Sequence, residues 1–172
     1  MRIVGIDPGS RVMGWGIITE ESGCARLIDC GIIKAANRAS DPFSERLAYI
    51  YHELCLVLKR HHPDVAAIEQ AFVSQNVQSA LKLGHARGVA VAACAALGLE
   101  IYDYEPTLVK KSLVGVGRAE KEQVAFMVKR ILNVPQASWA LDASDALAVA
   151  ICHLSQARFL ALAAKARRAA SA

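Results

Sequence analysis

An α/β domain on a five-stranded mixed sheet is the fold this sequence predicts. Three observations carry that expectation. Short apolar runs rich in β-branched residues recur at 2–6, 12–19, 24–35, 65–68 and 100–104, as strands require. Longer segments with helical spacing fall after the third strand; in the first, Leu47, Ile50, Tyr51, Leu54, Val57 and Leu58 share a face. The first three strands also follow one another through tight turns, which makes an antiparallel meander. A helix then precedes the fourth strand and acts as a crossover, so that strand should run parallel to the first.

The elements follow in order. Strand one ends on Asp7, and Pro8-Gly9 turns the chain, because Pro fixes φ and Gly accepts positive φ. Asp41-Pro42 reads as a helix start, with Asp41 as N-cap and Pro42 at the first helical position. His61-His62-Pro63-Asp64 closes that helix. The fourth strand ends on a second carboxylate, Glu69. Residues 70–78 form a polar loop holding one large aromatic, Phe72, and 79–98 a long helix dense in Ala and Val. Pro106 marks a loop, and Lys110, Lys111, Gly115, Gly117, Arg118 and Lys121 make a basic, Gly-containing segment. Helices are expected over 120–132 and 142–160. One domain spans residues 1–160, and 161–172 form a basic, Ala-rich tail, with Lys165, Arg167 and Arg168, expected to fray.

With 172 residues and 54% apolar side chains, the chain can bury a substantial core, which argues against disorder. The net charge of +4 tilts it mildly toward polyanions. Five cysteines, without any C-x-x-C pair, fit reduced thiols of a cytoplasmic protein and exclude a disulfide framework or zinc site. Asp7 interrupts the first apolar run, so no secretory signal is expected, and the longest apolar run, 88–99, is too short to span a bilayer.

The chemistry lies in the carboxylates. In open α/β sheets, ligands bind beyond the carboxyl ends of the parallel strands. Asp7 and Glu69 both stand there, and a charge ending a buried strand is costly unless compensated. Asp142 and Asp145, at i and i+3, share a face of the last helix. Those two alone would equally suit helix capping. Four carboxylates in one place would raise one another's pKa unless a cation neutralises them, and such hard oxygen ligands suit Mg²⁺ or Mn²⁺. Spacing alone leaves Phe72 equally suited to a base-unstacking wedge or to the core.

Five motifs, in order along nearly the whole chain, carry a resemblance: G-I-D-P-G-S-R at 5–11, A-I-E-Q at 67–70, S-A-L-K-L-G-H-A-R-G at 79–88, V-G-V-G-R-A-E-K at 114–121 and D-A-S-D-A-L-A at 142–148. The sequence resembles the RuvC family of bacterial Holliday-junction resolvases. The resemblance implies a ribonuclease H-like fold and a homodimer. It also implies Mg²⁺-dependent cutting of four-way DNA junctions at thymine-containing sites, leaving 5′-phosphate and 3′-hydroxyl ends. Two Mg²⁺ per active site are expected, with Mn²⁺ able to substitute, and the branch-migration machinery of RuvA and RuvB is the implied partner. The family's catalytic carboxylates map onto Asp7, Glu69, Asp142 and Asp145; Asp7 is the candidate bridging ligand, and Asp142 would ligate or orient a water. The resemblance favours Phe72 as wedge and Lys110 and Lys121 as DNA contacts, with Lys111, Arg118, Lys82, Arg87 and Arg11 as further phosphate contacts. His85 stands where several relatives have Gln.

Two other classes compete. Actin-like kinases share G-I-D-x-G-[ST] but need two such domains and about twice the length. Another ribonuclease H-like nuclease, or a non-catalytic DNA-binding module, would share the fold without the substrate. For the helix at 79–98, whose apolar residues go all the way round, full burial and a core-plus-partner arrangement are equally open.

Overall fold

The computed structural model describes residues 1–38, 40–70 and 76–170, with backbone only for 36, 37 and 160–170. All five expected strands form: β1 (Arg2–Asp7), β2 (Val12–Glu21), β3 (Cys24–Lys34), β4 (Val65–Glu69) and β5 (Glu100–Tyr104). They lie in the order β3-β2-β1-β4-β5. The meander is antiparallel, and β4 runs parallel to β1 and β5 parallel to β4. Among the described residues five α-helices accompany them: α1 (Phe43–His61), α2 (Val77–Ala96), α3 (Pro106–Val114), α4 (Lys121–Ile131) and α5 (Leu141–Ala170). None of the described helices is long and apolar enough to cross a membrane.

Strand alternation divides the core between the two sheet faces. Val4 and Ile6 of β1 and Ala66 and Ile68 of β4 pack with α1 and α2 through Ile50, Leu54, Leu58, Ala86, Ala90 and Ala93. Ile3 and Ala67 point the other way, onto Val109 and Leu113 of α3, Val124 and Val128 of α4, and Leu147 to Leu154 of α5. Asp7 is two residues beyond Gly5 and four beyond Ile3, and Glu69 two beyond Ala67. Both carboxylates therefore face the α3–α5 side.

Glycine lets α5 lie on the strands. A Cβ at Gly5 would sit 2.8 Å from the Ala150 nitrogen, and one at Gly16 would sit 2.5 Å from the Leu147 side chain. At Gly14 it would sit 2.6 Å from the carbonyl carbon of Asp142. Real Cβ atoms essentially never approach this closely. Gly5 pairs with Gly16 across the β1–β2 ladder, and Asp7 with Gly14.

Three expectations need correction. Asp41 is not the N-cap of α1: extended Pro42 holds that position with no side-chain cap, and Asp41 instead pairs with Arg38 at 2.6 Å. The loop expected after Pro106 is helix α3, with Pro at the start, where its missing N–H costs nothing, and Val109 and Leu113 buried one turn apart. The sequence reading ends the last helix at Leu160, but its backbone stays helical to Ala170; alanine is the strongest helix former, and the extension contains neither Gly nor Pro.

Candidate active site

Each carboxylate is placed by a different local cause. Asp7 and Glu69 close adjacent parallel strands whose register matches Ile6 with Ile68. Asp142 and Asp145 lie in the opening turns of α5, which the small residues of β1 and β2 admit close to the sheet. Trp139, just before α5, donates its indole N–H to the Ser144 hydroxyl and fixes the approach to that helix.

The result is a cluster. Ligand oxygens of Asp7, Asp142 and Asp145 lie within 4.8 Å of one another. Glu69 joins them by lining the same cavity as Asp7 and Asp145. A cavity of about 220 Å³ is lined by Asp7, Glu69 and Asp145, by Lys110 of α3 and Lys121 of α4, and by Val109, Val124 and Ala148. Asp142 belongs to the carboxylate cluster without lining this cavity.

Electrostatics mark the site as short of positive charge. Burial, with Glu69 and Asp145 close by, pushes the Asp7 carboxyl up to about 8 from an ordinary 3.8. Burial and the Asp145 charge also raise Glu69, while Lys121 and Lys110 partly oppose this. Lys121 donates from Nζ to Asp145 Oδ2 at 2.8 Å, and this bond raises the lysine pKa. Hard carboxylate oxygens gathered at this spacing, with burial penalising their charge, fit a divalent cation of the Mg²⁺ type.

The other candidate residues are spread more widely. Lys111 and Arg118 are exposed outside the cavity, and Arg11 is exposed in the β1–β2 turn. Lys82 and Arg87 stand on α2, which packs on the opposite sheet face, and Arg87 is held by Asp103 at 2.6 Å. Phe72 lies outside the described residues. His85 packs edge-on against Phe43 with ring centroids 5.8 Å apart. The sequence reading missed the glycines that seat α5. Their signal was present as Gly5, Gly14 and Gly16, alternate residues on facing strands.

A ribonuclease H-like sheet whose central strands end in such a cluster, with lysines on its rim, defines a nuclease class. The family model described as "Crossover junction endodeoxyribonuclease RuvC" matches residues 3–153. Among curated relatives, the protein of that name from Oleidesulfovibrio alaskensis is 56% identical over 162 residues, covering 94% of this chain and 95% of the relative. The one from Nitratidesulfovibrio vulgaris strain Hildenborough is 53% identical over 161 residues, covering 94% and 95%. Thermus thermophilus RuvC, solved in complex with a Holliday junction substrate, superposes with a TM-score of 0.84 at 35% identity, covering 92% of this chain and 96% of that one. The yeast mitochondrial Holliday junction resolvase Ydc2, at 13% identity and a TM-score of 0.62, shares the fold. The chain belongs to the RuvC family of crossover junction endodeoxyribonucleases.

Proposed function

We propose that this chain resolves four-way DNA junctions in the cytoplasm by paired, symmetric, Mg²⁺-dependent nicks during recombination and repair, leaving 5′-phosphate and 3′-hydroxyl ends. The observation that carries the reading is the convergence of Asp7, Glu69, Asp142 and Asp145 from three elements beside a lysine-lined cavity. Two divalent ions held there would activate the attacking water and stabilise the leaving oxygen of an in-line displacement. Asp7 would be the ligand common to the group, since its oxygen lies within 4.8 Å of those of Asp142 and Asp145 and it lines the cavity with Glu69. Glu69 and Asp145 flank it, and Asp142, at the mouth of α5, ligates or orients water. Lys110 and Lys121 position the phosphate, with Lys111, Arg118 and Arg11 as outer contacts. Lys82 joins them from α2, and Arg87 once it leaves Asp103. Phe72, following Glu69 in sequence, is the proposed wedge.

Two opposed cuts need two such sites, which a two-fold dimer supplies. A groove of about 680 Å³ between α1 and α2, lined by Leu47, Tyr51, Leu81, Gly84, Gly88 and Ala92, is the proposed contact with the second copy. RuvA and RuvB are the proposed branch-migration partners.

The test compares a synthetic four-way junction, a linear duplex and an RNA–DNA hybrid, each with and without Mg²⁺. Wild type should cut only the junction, and only with Mg²⁺. Asp7→Asn should abolish cleavage while binding the junction at least as tightly, since it replaces a carboxylate metal ligand with a neutral amide of the same shape. An Asp7→Asn protein cutting near the wild-type rate would overturn the metal assignment.

A further inference from the structure

Lys121 occupies an unusual position. It is the first residue of α4, at the positive end of the helix dipole, where a cation is disfavoured and an acidic residue favoured. The helix start is already satisfied without it, by the reciprocal bonds of Glu120 and Gln123. The local energetics of α4 therefore give no reason for a lysine here. Its partner does. The side chain of Lys121 is 57% exposed and that of Asp145 only 16%, so the ammonium reaches inward from solvent to a sheltered carboxylate. Asp7 and Asp142 add to its attraction.

We propose that Lys121 is an exchangeable internal counter-ion. Its ammonium holds Asp145 in the metal-free protein, a divalent ion must displace it to enter, and the released ammonium then turns outward to DNA phosphate. The inference rests on the proposed metal-dependent reading of the cluster. A hard ion would bind carboxylate oxygen at about 2.0–2.1 Å. With Nζ at 2.8 Å from Asp145 Oδ2, lysine and ion would compete for one carboxylate and repel each other. Lys110 differs: it lines the same cavity but, among the described bonds, makes none to Asp145. It is therefore available to phosphate before any ion arrives.

Two measurements on the full-length protein test the exchange without relying on turnover. Mn²⁺ binding to protein alone, followed by the loss of free-ion paramagnetic resonance signal, should tighten in Lys121→Met by about fivefold to tenfold, between the upper end for exposed ion pairs and the lower end for hydrogen bonds to charged groups. Lys121→Arg keeps a cation and should not tighten. Unchanged or weaker Mn²⁺ binding by Lys121→Met would overturn the proposal. Thermal melting of each variant in EDTA confirms folding, which the exposed position of Lys121 favours. In the second arm, junction binding is titrated with salt in EDTA. Lys110→Ala should lower the slope of log K against log salt by about 0.9, the share of one phosphate contact, whereas Lys121→Ala should leave it unchanged because its ammonium is already committed. An equal fall in both would show that Lys121 is free for DNA and refute the exchange. Failure of wild type to cut a junction with Mg²⁺ would sink the functional reading instead.

Discussion

Gly14→Ala is the smallest change that should separate fold from chemistry. Gly14 pairs with Asp7 across the β1–β2 ladder and lies under the first turn of α5. The added methyl would sit 2.6 Å from the Asp142 carbonyl carbon, with the carbonyl oxygen closer still, whereas ordinary contact begins at 3.4 Å. Backbone on both sides leaves no flexible side chain to yield. The start of α5 must therefore retreat by at least about 0.8 Å, and a displacement near 1 Å at a reacting centre costs about 100-fold in rate. Overpacking of this kind also costs about 1–3 kcal/mol of stability. Single-turnover cleavage of a four-way junction with saturating Mg²⁺ should fall about 100-fold, with junction binding in EDTA near wild type and a lowered melting temperature. A Gly14→Ala protein that melts lower but cuts within about threefold of wild type would refute the link between the glycine seat and the carboxylates.

Other expectations follow from the same geometry. Leu81 is 59% exposed in the α1–α2 groove, so Leu81→Glu should convert the proposed dimer to a monomer, read by light scattering, without lowering the monomer's helix content. In EDTA, stability should fall as pH rises. Asp7 titrates at about 8 folded and 3.8 ordinarily, so between those values the folded chain holds a proton that the unfolded chain has lost. Glu69 is shifted in the same direction and adds to the effect. Melting temperature across that window should drop without metal and recover with Mg²⁺, whose binding to deprotonated carboxylates strengthens with pH. A melting temperature that rises with pH in EDTA would contradict the burial of Asp7.

Much of this was legible in the sequence, for identifiable reasons. The strands announced themselves because each is an apolar run bounded by turn residues, and the helix between β3 and β4 fixed β4 parallel to β1. Asp7 and Glu69 stood out because each ends such a run on a charge. What the sequence hid were the contacts that depend on a third element. Nothing in the spacing of Gly5, Gly14 and Gly16 names α5 as the body lying over them, though alternation on facing strands marks them as one flat patch. α3 was hidden for a different reason: Pro106 reads as a loop signal when taken alone, and as a helix start only once Val109 and Leu113 are seen one turn apart. The Lys121–Asp145 bond joins residues 24 apart in sequence on two separate helices, and no local pattern predicts it.

The sheet itself explains how one small domain can hold a cutting site on one face and leave the other free for the proposed second copy. Residues of β1 alternate between two jobs: Val4 and Ile6 anchor the α1–α2 layer, while Gly5 and Asp7 face α5. The apolar groove and the acidic cavity are therefore separated by the full thickness of the sheet. A second copy seated on α1 and α2 would cover Leu81 and Tyr51 and leave Asp7, Lys110 and Lys121 open to DNA. Register links the two layers, because a one-residue slip of β1 would turn Asp7 into the α1–α2 core and Ile6 toward the carboxylates. The β1–β2 ladder, pinned by the glycine pair at Gly5 and Gly16, thus keeps the carboxylate cluster on one face and leaves the other for the proposed second copy.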